Sequence, residues 1–216
     1  MHLLSLIALA LLGGAMMAST ADAADGFVPL FNGKDLDGWE VKENKTSDPD
    51  QWTVKDGILA AKTGLGWLGT KRMYGDFVLR LEWRLPENGN SGVYLRVPDI
   101  KSDQLPTFTG LEIQVLDDDG PQYVGKLKPY QHSGSIYALV PATKQLNKGA
   151  GQWNRFEITC RGDRVSVIFN GELVADADAT KEPELAKRPK RGFIGLQNHG
   201  SAVEYRNIQI KVLERE

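Results

Sequence analysis

Cysteine is all but missing from this 216-residue chain, and Cys160 alone cannot close an internal disulfide. In Phe156-Glu157-Ile158-Thr159-Cys160 it shares the apolar phase of an alternating run, which reads as core rather than as a nucleophile. Histidine is nearly as scarce, with three residues and no zinc-type spacing. No phosphate-cradling glycine loop follows a strand pattern and no Gly-x-Ser-x-Gly elbow occurs, which leaves nucleotide use and serine-hydrolase chemistry unsupported. An excess of one charge is lacking too: 26 Lys plus Arg face 28 Asp plus Glu, with no basic stretch interleaved with aromatics. That argues against a nucleic-acid partner. After the N-terminal stretch no run is long and apolar enough to span a bilayer.

What is present begins with a leader. Leu3 to Ala18 is apolar but short and broken by glycine, and it ends in Ala21-Asp22-Ala23, a small-x-small cleavage pattern. Residues 1–23 therefore read as a signal peptide, although its start carries only His2 and no Lys or Arg. The expectation is export to the periplasm or beyond. No cysteine lies near the cleavage site to take a lipid, so no membrane anchor is expected. Residues 24–216 suit one domain with a sizeable core.

Short alternating segments recur between turn signals, and no long window carries a helical stripe, so the fold class is all-β. Strands are predicted at Trp52–Val54, Ile58–Ala61, Phe77–Arg84, Gly92–Val97, Leu111–Leu116, Ser135–Leu139, Asn154–Arg161, Arg164–Phe169, Glu172–Ala177, Gly192–Gln197 and Val203–Val212. Gly162-Asp163 and Asn170-Gly171 supply the turn chemistry of tight hairpins, which predicts a three-strand meander over residues 154–177. Asp117–Ser133 and Asp178–Lys190 read as loops, the second with one helical turn around Glu182–Ala186. Many strands at hairpin spacing fit a sandwich of two antiparallel sheets.

Alternation also shows which side chains face away from the core. Leu111, Ile113 and Val115 form one buried phase, which leaves Glu112 and Gln114 opposite. Val93, Leu95 and Val97 leave Tyr94 and Arg96 opposite. Ile194 and Leu196 leave Gln197 and, in the same phase, His199. Beyond Tyr205 the apolar phase slips, which predicts a bulge near Arg206-Asn207. Solvated strand faces are ordinarily polar, and Glu82, Glu157, Arg164 and Lys211 fit that account. Paired amides beside aromatics fit it less well, so Glu112, Gln114, Arg96, Gln197 and His199 are candidates for one shared polar site. Asp117-Asp118-Asp119 reads as a solvated turn rather than a calcium loop.

The ordered motifs Phe31-Asn32-Gly33-Lys34-Asp35-Leu36-Asp37-Gly38-Trp39, Tyr74-Gly75-Asp76-Phe77, Asn90-Ser91-Gly92-Val93 and Gly110-Leu111-Glu112-Ile113-Gln114-Val115 continue through Gly134-Ser135-Ile136-Tyr137 and Gly151-Gln152-Trp153-Asn154 to Gly195-Leu196-Gln197-Asn198-His199-Gly200 and Arg206-Asn207-Ile208. Together they resemble the 3-keto-disaccharide hydrolase family, also described as 3-keto-glucoside 1,2-lyases and 3-keto-2-hydroxy-glucal hydratases. The resemblance implies a concanavalin A-like jelly roll with its site on the concave sheet, and a small sugar substrate. It implies proton abstraction from C2 of a 3-keto-glucoside and elimination at C1, with or without hydration of the glucal. On that reading His199 or Glu112 is the base and Arg96 the oxyanion partner. Gln114, Gln197 and Tyr137 contact hydroxyls, with Tyr94, Trp67, His132 and Arg206 as further substrate contacts. Trp67 is expected in a glycine-rich loop as a stacking platform, and Trp39 in the core. No motif requires a cofactor, while Glu112, His132 and His199 are the ligands on offer to a divalent ion. The competing class is a non-catalytic, lectin-like carbohydrate-binding module, since this kind of sandwich hosts both.

Overall fold

Phe77, Leu79, Leu81 and Trp83 are buried in alternation with half-exposed neighbours along one strand, and Phe156, Ile158 and Cys160 follow suit along its partner. One face of such a pair has to be covered, and the chain covers it with a second sheet. The computed structural model describes residues 25–42, 49–62, 64–101 and 104–213. The signal peptide expected at residues 1–23 lies outside the described residues.

The larger sheet contains β1 (Val28–Pro29), β3 (Trp52–Lys55), β4 (Ile58–Ala61), β6 (Phe77–Arg84), β9 (Asn154–Arg161), β10 (Arg164–Phe169), β11 (Glu172–Asp178) and β13 (Glu204–Val212). Its order is β11-β10-β9-β6-β13-β4-β3, with β1 also paired to β13. The smaller sheet contains β2 (Trp39–Lys42), β5 (Leu65–Tyr74), β7 (Asn90–Val97), β8 (Leu111–Leu116) and β12 (Gly192–His199), in the order β2-β5-β12-β7-β8. All pairings are antiparallel, as the sandwich reading expects. The core lies between the sheets, with Leu79, Trp83 and Phe156 from one meeting Leu68, Val93, Ile113 and Leu196 from the other.

The meander forms as predicted, with Gly162, Asn170 and Gly171 at φ of 53°, 48° and 94° in its two turns. The expected helical turn is α2 (Pro183–Ala186). Cys160 is buried, and burial pushes its thiol up to about 12, so it is no nucleophile. Trp39 is in the core, its indole N–H donating to the Leu30 carbonyl at 2.9 Å.

Three expectations need correction. Ser135–Leu139 is not a full strand. It runs along the free edge of β8, with Gly134 and Tyr137 N–H donating to the Gln114 and Glu112 carbonyls, but Ala138 at φ 59° turns the chain back on itself. The stretch around Trp67, read as a loop because of Gly64, Gly66 and Gly69, is the long strand β5. The aspartate run is solvated only at Asp119: Asp117 accepts from the Asn88 N–H and Asp118 from the Ser133 N–H, and both are buried.

Candidate active site

Directly opposed residues in an antiparallel ladder share a face, so the register of the smaller sheet maps its outer surface row by row. One row runs Glu40, Gly69, Gly195, Tyr94, Glu112. The next holds Lys42, Trp67 and Gln197, then Gly92 and Gln114, the two groups adjoining where the Leu196–Val93 pairing is extended by one residue. A third sets His199 against Leu65 and Asn90 against Leu116. Glu112, Gln114, Tyr94, Gln197 and His199 therefore share one face.

A polar outer face should be wet, yet Glu112, Gln114 and Tyr94 are each only 4% exposed. Loops enclose them. The helical turn α1 (Pro106–Thr109) brings in Thr107, whose hydroxyl donates to Glu112 Oε2 at 2.5 Å. Gln197 Nε2 donates to the Tyr94 phenol at 2.5 Å, while Gln197 Oε1 is buried with no partner among the described residues. An acceptor left so is suited to a ligand hydroxyl. Gln114 Nε2 donates to Asn90 Oδ1 at 3.0 Å.

Burial dominates the electrostatics. It pushes the Glu112 carboxyl up to about 7, the Thr107 bond opposing this only in part, so the group can change its proton near neutral pH. Burial, reinforced by the Glu112 charge, also holds the Tyr94 phenol well above its usual range, which keeps it a hydrogen-bond donor.

Glycine shapes the floor. A β-carbon at Gly195 would stand 2.4 Å from Trp67 Cε3, and one at Gly69 2.8 Å from Trp67 Cζ3. The indole therefore lies along the sheet between two glycines, with Tyr94 edge-on at 5.8 Å. Trp67 is buried in this outer cluster with Tyr94, Val97 and Phe193, not displayed on a loop.

Four other expected site residues sit elsewhere. Arg96 points inward: a bulge between Tyr94 and Val97, with Arg96 at φ 52°, reverses the phase, so Val97 joins the outer cluster in its place. Its guanidinium pairs with Asp76 at 2.9 Å and donates to the Gly75 and Gly162 carbonyls, which removes it from the oxyanion position. The bulge predicted at Arg206-Asn207 is present, but Arg206 lies on the outer face of the larger sheet, bonded to Glu82 and 4.0 Å from the Trp153 ring centre. His132 stands beside Asp118, its Nδ1 3.6 Å from Oδ1, after the end of β8. Tyr137 is tied to Glu112 through its backbone N–H, and its ring packs edge-on against Tyr130.

His199 is exposed at the end of β12, whereas Glu112 is enclosed. Four residues along a strand and two strands across separate their Cα atoms by about 16 Å at ordinary sheet spacing. The enclosed carboxylate and the exposed imidazole thus stand in different parts of the face. Nor do Glu112, His132 and His199 form a cage: among the described residues no three His, Cys, Asp or Glu side chains gather as metal ligands. Thr107, Asn90 and the glycine floor were not legible in the sequence, since the first two act from a turn and a strand end and glycine has no side chain to phase.

Residues 26–211 match the 3-keto-alpha-glucoside-1,2-lyase-like domain family. This chain belongs to that family. A 3-keto-disaccharide hydrolase of Bacteroides thetaiotaomicron is 31% identical over 88% of this chain and 80% of its own length. A crystal structure from Parabacteroides distasonis, provisionally named a glycosyl hydrolase, superposes with a TM-score of 0.82 at 25% identity, covering 92% of this chain and 99% of that one. A Bacillus subtilis protein with a galectin-like fold matches at a TM-score of 0.54 and 11% identity over 84% of this chain and 92% of its own, a likeness of fold alone. The fold of this chain is thus a two-sheet sandwich of the concanavalin and galectin kind.

Proposed function

We propose that this protein cleaves 3-keto-glucosides by elimination, with Glu112 as the base that removes the C2 proton. The observation that carries the reading is a carboxyl held near pH 7 by burial, on the polar outer face of the smaller sheet. A ketone at C3 acidifies the C2 hydrogen, so a base of that strength suffices and no pair of carboxylates is needed across the glycosidic bond. Glu112 takes the proton and the C2–H electron pair forms the enolate. As the enolate collapses to a C1–C2 double bond, the C1–O bond breaks and the departing oxygen is protonated. Addition of water across that double bond gives net hydrolysis to 3-keto-glucose.

Gln197 Oε1 and the Gln114 amide offer hydroxyl contacts beside the base. His199, at the far end of the third row, is assigned to the other half of a disaccharide rather than to the reacting ring. The leader at residues 1–23 supports export, which N-terminal sequencing of the periplasmic fraction tests.

The deciding experiment follows a 3-keto-disaccharide and its unoxidised parent by NMR in deuterated water, with wild type, Glu112→Gln and His199→Ala. Cleavage of the keto compound alone, deuterium at C2, and loss of both in E112Q are expected. H199A should weaken binding while retaining C2 exchange. Sugar binding without turnover would return the protein to the lectin-like reading.

A further inference from the structure

The two oxygens of Glu112 are not equivalent. Oε2 accepts the Thr107 hydroxyl at 2.5 Å. Oε1 lies above Gly92, where a β-carbon would stand 2.3 Å away, and accepts no hydrogen bond among the described residues. Only glycine at position 92 leaves room for that oxygen.

A hydroxyl has a single hydrogen. While Glu112 is ionised it can only accept, so the Thr107 hydrogen is committed to Oε2. A proton arriving at Oε2 would meet the Thr107 hydrogen head-on and force the hydroxyl to turn. A proton arriving at Oε1 disturbs nothing.

We infer that Thr107 is a positioning residue for proton abstraction: it locks Oε2, so that Oε1 takes the C2 proton above Gly92, between Gln197 and Gln114. The inference rests on the reading of Glu112 as the base. It also explains what α1 does. Pro106 is buried at its start, the Gly110 N–H closes back onto the Pro106 carbonyl at 2.8 Å, and Arg188 donates to the Phe108 carbonyl. Gly110 itself is packed so closely on β7 that a β-carbon would lie 2.7 Å from the Leu95 carbonyl. The turn is thus pinned on both sides of Thr107, as a residue that aims another must be.

The test is the pH dependence of kcat and KM on a chromogenic 3-keto-glucoside for wild type, Thr107→Val, Thr107→Ala, Thr107→Ser and Glu112→Gln. Loss of the hydroxyl removes a bond that favours the carboxylate, so T107V should move the acid limb upward by about one pH unit. It should lower kcat roughly ten- to hundred-fold at neutral pH with KM changed less than about two-fold. T107S should restore the wild-type profile, and T107A should shift it as T107V does. If T107V fails to fold, T107A and T107S carry the comparison, and an unshifted T107A overturns the proposal. A wild-type profile in T107V with an inactive E112Q overturns the positioning role and leaves the base standing. Retained C2 exchange in E112Q overturns the base, and this inference with it.

Discussion

The Glu112 carboxylate lies directly over Gly92, so that a β-carbon at position 92 would stand 2.3 Å from Oε1 and 2.8 Å from the carboxyl carbon. Gly92 is not at a positive φ, so alanine meets no backbone objection there. The added methyl acts on the base alone. Gly92→Ala is expected to fold, to lose no more than about 1–3 kcal/mol from crowding, and to lose about a hundred-fold or more in kcat from the displaced carboxylate. Thermal melting and steady-state kinetics on one preparation check both halves.

The same burial that raises Glu112 sets a pH dependence of stability. Its folded value of about 7 lies above the ordinary 4.5, so the folded state holds the proton more tightly than the unfolded one. The associated stability is present below pH 4.5 and is lost as pH rises through 7. Glu112→Gln copies the protonated side chain. It should match wild type near pH 4 and exceed it near pH 8 by about 3 kcal/mol, because each tenfold gain in proton affinity on folding is worth ~1.4 kcal/mol. Urea unfolding at the two pH values measures the difference, and a variant less stable at pH 8 would contradict the assignment.

How far the sequence could be read depended on whether period two held locally. It held on β8 and β12, so the facing of Glu112, Gln114, Gln197 and His199 was legible, as was the meander with its Gly162 and Asn170-Gly171 turns. It failed on β7 because one extra residue, Arg96 in the left-handed region, swaps the faces of everything after it. Counting hydrophobic residues cannot see that residue, since Val97 is apolar and buried on either face. On β5 the glycines that let Trp67 lie flat looked like loop punctuation. Thr107 left no trace, because a hydroxyl in a four-residue turn has no periodicity to betray its direction.

The Arg96 correction can be checked directly. Arg96, 1% exposed, joins the Gly75-Asp76 turn to the Gly162 turn of the meander through its guanidinium. Arg96→Met leaves the largely enclosed Asp76 side chain, 10% exposed, without its cation, and breaking a buried pair costs about 3–5 kcal/mol. A large fall in the unfolding midpoint is expected, with kcat per folded molecule within about three-fold of wild type. An oxyanion role would produce the reverse: a normal midpoint and a large loss in kcat.

Gly195 offers a contrast to Gly92, since a methyl there meets Trp67 at 2.4 Å from Cε3 and 2.7 Å from Cζ3, with Tyr94 Cβ next at 3.3 Å, rather than meeting the base. Gly195 too lies outside the positive-φ set, so alanine is again tolerable to the backbone. The indole is hemmed by Gly69 beneath and Tyr94 at its edge, so it can yield only by lifting off the sheet. On the proposed reading that displaced ring would intrude where the sugar binds. Gly195→Ala should therefore raise KM about ten-fold or more while leaving the acid limb of the kcat profile in place, because Glu112 and Thr107 are untouched. Kinetics on a 3-keto-disaccharide across pH separate the outcomes. A shifted acid limb with an unchanged KM would mean that Trp67 acts through the base instead of through the space above the sheet.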